Sequence, residues 1–373
     1  MEHSAGSMPH AAQPSTAAAA HAITTSSSQF PAAAAAVAAP TISSLTPTQG
    51  PVEGRNTVTL TGTGLTGATS VRFGTTAAAF ITVSDAQVTA IAPAAPAGPL
   101  SVTITTAGGT SAGISYTYVA APVLNSVAPA QGPLAGQNTV TLSGTGFTGT
   151  TSVRFGVNAA ISFTFVSATQ LTAVVPTGGP GPVAVTVTTP GGTSTQAVSY
   201  YYLGAPVLNS VTPGAGQVSG NNAVTLTGAN LLQASTVRFG PTAAAPSAIV
   251  SATEIRATVP PGVSGTVPVS ITTPGGTSNA VTYLYLGVPV IAGLVPDQGP
   301  PAGGNTVTVT GSGLTYATAV LFGSVPAGFT VVSDTQLTTT APPGVLGAVT
   351  VRVVTPGGTS IGVPYTRVGS PAV

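Results

Sequence analysis

The chain contains no cysteine, no tryptophan and no lysine. Without a thiol, neither a disulfide framework nor a thiolate metal site can form. Charge is almost as scarce: seven arginines stand against six acidic residues in 373 positions, for a formal net charge of +1. That balance supplies no basic footprint for nucleic acid or an anionic lipid surface. No run of eighteen apolar residues occurs, so membrane insertion through a helix is not expected. Helix-length apolar periodicity is missing as well. What remains is a surface of Thr, Ser, Asn, Gln and backbone, and its near-zero charge gives little repulsion between copies, favouring self-association or attachment to a surface.

Catalytic constellations are equally thin. Histidine occurs only as His3, His10 and His21, so a serine or threonine elsewhere has no imidazole base beside it. The carboxylates Glu53, Asp85, Glu254, Asp297 and Asp334 are spread along the chain. Calcium needs six to eight oxygens, several of them usually from carboxylates. Glu53 with Asp85, or Asp297 with Asp334, are the only pairs able to meet at one end of a domain, and turn formation is the expected role of both aspartates. No enzyme, cofactor or metal is expected.

The first 39 residues are Ala, Ser, Thr and Pro with the three histidines. They have no periodicity able to bury a core and read as a disordered tail. The segment lacks the basic start and strongly apolar stretch of a standard secretory signal.

Beyond the tail, one block is written four times. Gly-Arg-Asn-Thr-Val-Thr-Leu-Thr-Gly at 54 to 62 returns at 136 to 144, 220 to 228 and 303 to 311, each followed by a Phe-Gly pair ending at Gly74, Gly156, Gly240 or Gly323. Counted from Pro40, Pro122, Pro206 and Pro289, the periods are 82, 84 and 83 residues. That is too long for a solenoid unit and long enough for a domain with its own core. Repeats at 40–121, 122–205, 206–288 and 289–368 are therefore expected.

In the first repeat the β-branched runs predict seven strands: 41–46, 57–62, 70–73, 79–84, 87–92, 100–106 and 113–119. Val58 and Leu60 alternate with Thr57, Thr59 and Thr61, as Val102 and Ile104 do with their hydroxyl neighbours, so one face packs and one is wet. Seven short strands in about eighty residues predict a two-sheet antiparallel sandwich. The Thr-Thr-Pro-Gly-Gly-Thr-Ser turn at 188 to 194 recurs in the later repeats. It predicts positive φ at its first glycine and a hairpin of the last two strands. The Thr-Gly-x-Gly-Leu/Phe turn carries asparagine at 230 in the third repeat, and asparagine tolerates the left-handed region best among non-glycine residues. Positive φ is thus predicted at Gly64, Gly146, Asn230 and Gly313.

These landmarks, with Val-x-Phe-Gly, Val-Ser-Asp/Ala and a closing Tyr-x-Tyr, resemble the IPT/TIG family of immunoglobulin-like domains over residues 40 to 368. The last repeat departs by closing with Tyr365-Thr366-Arg367. The resemblance implies an all-β array of four tandem immunoglobulin-like β-sandwich domains. In bacteria such domains serve as spacers in surface and secreted proteins, and the family supplies no active site.

Arg72, Arg154 and Arg238 lie between valine and phenylalanine on one strand, which places them in solvent; Leu321 takes this position in the fourth repeat. Tyrosines 116/118 and 283/285 have a period of two and read as packing. Only Tyr201 falls on the opposite face, which makes it the candidate ligand-binding residue. Linkers of three or four residues ending in proline leave little swing. A strand of eight to ten residues spans about 30 Å, so four sandwiches end to end predict a rod of roughly 120 to 160 Å. Residues 369–373 match the start of a further linker. The expected function is a non-catalytic extracellular or cell-surface spacer and adhesion protein, with a cell-wall polymer, a polysaccharide or a second copy as partner. A carbohydrate-binding protein and a virion decoration are the alternatives.

Overall fold

The computed structural model describes residues 37–244 and 246–369. The tail before residue 37, its three histidines and the residues after 369 lie outside that range. The described chain is all-β, as the alternating pattern requires. In the first repeat, Thr41–Thr46 forms β1, Gln49–Pro51 β2, Thr57–Thr63 β3, Ser70–Phe73 β4, Thr76–Ser84 β5, Gln87–Ile91 β6, Gly98–Thr106 β7, Gly109–Thr110 β8 and Ile114–Val119 β9. Two of these, β2 and β8, are not among the seven expected from sequence. Three residues and two residues are too short to show an alternation.

The strands make two layers. One runs β1-β3-β6-β5 and the other β2-β9-β7-β4-β5, with β8 paired to β7. β5 belongs to both: Ala78 pairs with Val71 of β4, and Ala79 pairs with Ile91 of β6. In the later repeats this crossing strand is split, as in Asn158–Ala159 and Ser162–Ser167. The opening strand crosses between layers too. β1 pairs antiparallel with β3, and after the cis Thr46-Pro47 bond β2 pairs parallel with β9. The Pro-x-x-Gly landmark is therefore the corner at which the chain changes sheet.

The core follows the period of two. Val58, Leu60, Val71, Phe73, Val102 and Ile104 are buried, while the threonines between them face outward. The paired tyrosines close the core. Tyr116 and Tyr118 lie edge to face with ring centroids 5.1 Å apart, and Phe73 meets Tyr116 at 5.2 Å. Such geometry sets the positive ring edge against the negative face of the next ring. Both hydroxyls are satisfied: Asn56 Nδ2 donates to Tyr116 Oη at 2.8 Å, and Tyr118 Oη donates to the Pro93 carbonyl at 2.7 Å. Burial pushes the Tyr118 phenol up to about 12, helped by the Tyr116 oxygen. A Cβ at Gly50 would collide with Tyr116 Oη, which explains the glycine of Pro-x-x-Gly.

The fourth repeat fills the second tyrosine position with Arg367. Its residue is 5% exposed, its Nη2 donates to the Pro342 carbonyl at 3.1 Å, and its Nε is buried with no hydrogen-bond partner. Gly344 leaves the space beside it, as Gly178 and Gly262 do beside Tyr202 and Tyr285.

All four predicted left-handed positions are left-handed: Gly64 at φ 68, Gly146 at 74, Asn230 at 58 and Gly313 at 70. The Pro-Gly-Gly turn corrects its prediction. Positive φ falls on the second glycine, at Gly109, Gly192, Gly276 and Gly358. The turn closes β7 onto the two-residue β8, and β9 then pairs with β7 further along. Thr189 Oγ1 accepts the Gly191 amide at 3.2 Å, and Ser194 Oγ accepts the Val187 amide at 3.0 Å. The two hydroxyls thus bind the turn from both sides, and the first glycine serves another purpose at the linker.

Candidate functional site: the junctions between repeats

Each linker is gripped by the repeat it enters. A Cβ on the first glycine of the Pro-Gly-Gly turn would collide with a linker carbonyl: Gly191 with Ala120, Gly275 with Gly204 and Gly357 with Gly287. On the other side, Gly146 and Gly313 face Pro122 and Pro289 closely enough that an added Cβ would reach van der Waals contact. Asn230 instead donates from Nδ2 to the Ala205 carbonyl at 3.1 Å. Two turns thus form a clamp with the linker backbone between them, and on the Pro-Gly-Gly side only glycine permits the approach.

The aspartates stiffen that clamp. Asp85 accepts the amides of Gly64 at 3.1 Å and Thr66 at 3.2 Å, and Asp334 accepts the Gly313 amide at 3.1 Å and the Thr315 hydroxyl at 2.9 Å. The Thr66 amide, then the Gly64 amide, hold the Asp85 carboxyl below its ordinary value; for Asp334 the Gly313 amide leads and the Thr315 hydroxyl follows. Ala168 and Ala252 keep only the backbone part, accepting from Phe147 and Leu231 at 3.0 Å each. Among the described residues no group of three or more His, Asp or Glu side chains that could hold a metal ion converges.

The three strand arginines are exposed, and each guanidinium reaches the carbonyl three residues on. Arg72 donates to Thr75 at 2.7 Å, Arg154 to Val157 at 3.3 Å and Arg238 to Pro241 at 3.1 Å. They pin the turn after Val-Arg-Phe-Gly.

Tyr201 stands apart. On strand Ser199–Leu203, Tyr200 and Tyr202 are buried while Tyr201 is 48% exposed. It lies in register with Gln131 on one side and Pro182 on the other. Gln131 Nε2 in turn donates to Gln233 Oε1 of the third repeat at 2.5 Å. Gln233 lines a cleft of about 230 Å³ with Leu203, Gly204, Asn230 and Leu232, where the linker enters the third repeat. The junction of the third and fourth repeats holds a matching cleft of about 320 Å³, lined by Ser264, Leu286, Gly313, Tyr316 and Asp334. Tyr316 is 47% exposed and occupies the turn position of Gln233. Gly67 and Gly149 stand there in the first two repeats. Sequence reading passed over Tyr316; aligning the repeats at that turn would have exposed a glycine replaced by an aromatic ring.

Four sandwiches, each with its own core and each gripping the linker before it, define a tandem array of immunoglobulin-like domains. The chain belongs to the IPT/TIG domain family, whose model matches residues 40–118, 122–202, 206–285 and 289–367. Comparison with curated proteins finds no match. Among solved structures, the plexin A4 extracellular region is similar at 21% identity over 84% of this chain and 29% of that one, with a TM-score of 0.36. A second plexin A4 structure is matched over 48% of its length, so this chain spans less than half of either region. The SGBP-B protein of a Bacteroides ovatus mixed-linkage glucan utilization locus is similar at 17% identity over 68% of this chain and 67% of that one, TM-score 0.24. The Escherichia coli adhesin FdeC is similar at 20% identity over 67% of this chain and 98% of that one, TM-score 0.27. These likenesses concern the fold alone.

Proposed function

We propose that the protein is a non-catalytic spacer and adhesion protein of the cell surface or extracellular space, in which four sandwiches are held in line to give reach. The observation that carries the reading is the linker clamp. Each connecting segment is seated between two turns of the repeat it enters, so bending at a junction must first break that seat. Four such units give a rod of roughly 120 to 160 Å. Small-angle scattering of the purified chain tests this directly: a maximum dimension in that range is expected, and a compact envelope defeats the proposal. Fractionation of the native host with an antibody to the repeats tests the location. Recovery on the surface or in the medium is the expected result, and confinement to the cytoplasm the contrary one.

A second reading, carbohydrate binding, is favoured by one observation. The array buries its paired tyrosine rings but leaves half exposed both Tyr201, in register with Gln131 beside one junction, and Tyr316, in the cleft of the next.

A further inference from the structure

We infer that the clefts at the second-to-third and third-to-fourth junctions are two subsites for one neutral polysaccharide strand, with Tyr201 and Tyr316 as its stacking faces. Tyr316 lines the second cleft from the repeat after its linker, whereas Tyr201 lies beside the first, on the repeat before its linker and in register with Gln131, whose amide reaches Gln233 of the cleft wall. At the first, the strand neighbour of Tyr201, Gln131, donates to Gln233 at 2.5 Å across the domain boundary. Asn230 and Leu232 form the wall beyond. At the second, Tyr316 faces the hydroxyl-bearing Ser264 and Ser312 with Leu286 as the apolar floor.

The chemistry selects the ligand class. A small apolar floor with a few convergent polar groups is the usual make-up of a small-ligand site. Glutamine and asparagine amides donate and accept at once, which suits a ligand made of hydroxyls. No arginine lines either cleft. The one carboxylate, Asp334, is held by the Gly313 amide and the Thr315 hydroxyl and repels anionic polymers. A flat apolar sugar face over the tyrosine, hydroxyls on the amides and no ionic group fit this lining. The clefts recur one repeat apart along a clamped array, so the matching ligand is itself a repeating chain, and two weak subsites add through linkage.

The inference deepens the adhesion reading and rests on it for context, yet its test reads the clefts alone. Affinity gel electrophoresis of the full chain is run through gels containing dextran, soluble starch, hydroxyethyl cellulose or galactomannan, with alginate as the anionic control. Retardation by at least one neutral polymer and none by alginate is expected. Tyr201→Ala and Tyr316→Ala should each weaken binding about tenfold, as loss of a central aromatic anchor does. The double variant should run as in a plain gel, while Tyr201→Phe keeps the ring and binds within about threefold of the parent. Circular dichroism confirms that these surface variants are folded. No retardation by any neutral polymer, stronger retardation by alginate, or undiminished binding of the double variant would each overturn the inference. A chain extended in scattering that ignores all four polymers keeps the spacer and loses the site.

Discussion

Replacing Arg367 with tyrosine should stabilise the fourth repeat, and the other three repeats show why. In each of them the second closing tyrosine donates to a proline carbonyl, at 2.7 Å to Pro93, 2.8 Å to Pro176 and 2.7 Å to Pro260. Each also meets its neighbouring tyrosine edge to face, at 5.1, 5.0 and 5.1 Å. Arg367 keeps the carbonyl bond and loses the rest. Its Nε is buried unpaired, and the ion pair found among the described residues, Arg256 with Glu254, lies in another repeat. Removing a buried orphan donor is worth about 1–3 kcal/mol. Restoring an edge-to-face pair with Tyr365 adds about 0.5–1.5 kcal/mol. The space is already cut to the ring, since Gly344 stands where Gly178 and Gly262 stand. A net gain of about 2–4 kcal/mol raises the Tm of an eighty-residue domain by at least roughly 8 °C. Differential scanning calorimetry of the full chain should show one transition moving up by that amount with the others unmoved. Arg367→Lys, which keeps the charge and loses the fork, should not reproduce the gain. If Arg367→Tyr leaves every transition in place or lowers one, the guanidinium is not the liability described.

Other consequences follow from the clamp and the core. Asp85 and Asp334 have lowered pKa values in the fold, so the stability they contribute is complete above the ordinary carboxylate value of 3.8 and disappears as pH falls through the folded value. Repeats one and four should therefore lose stability on acidification more steeply than repeats two and three, which carry Ala168 and Ala252; urea unfolding from about pH 5 to pH 2 tests the difference. Gly191→Ala should press on the Ala120 carbonyl and cost about 1–3 kcal/mol of overpacking. It should also widen the bending at that junction in scattering, whereas Gly179→Ala, which meets nothing within 4 Å, should be silent. Tyr283→Phe leaves the Asn222 side chain, joined to the hydroxyl at 2.9 Å, without its partner, so calorimetry should show a loss of about 1–3 kcal/mol confined to the third repeat.

How much of this was legible before the structure depends on whether a residue's role is periodic or positional. The alternation of Val58 and Leu60 with threonines states which face is buried, because the strand period is fixed by backbone geometry. Asn230 announced its left-handed turn because few other residues replace glycine there. The Pro-Gly-Gly turn was misread because its first glycine is required by the linker of the same repeat, a contact about seventy residues away in sequence (Gly191 on Ala120) that no local rule contains. Tyr201 was visible because it breaks a period of two. Tyr316 was not, because it sits in a turn, where no period exists to break.

The scarcity of charge poses a problem that the strand edges answer. Unpaired edges invite pairing with another chain, and charged side chains are the common guard. Here the guard is geometric. In repeats one, two and four the register of the outer strand slips at Val83, Val166 and Val332, just before the Val-Ser turn. The first strand of each repeat slips as well, at residue 43 and its counterparts. A bulge twists the edge and interrupts the row of free amides. Each sandwich is thereby blunted along its sides without a lysine. On the proposed reading, affinity for a polymer then falls to the junctions, where linkers and clefts coincide. A protein built this way can line up hydroxyl-rich sandwiches at near-zero net charge with the edge strands interrupted by bulges rather than guarded by charge.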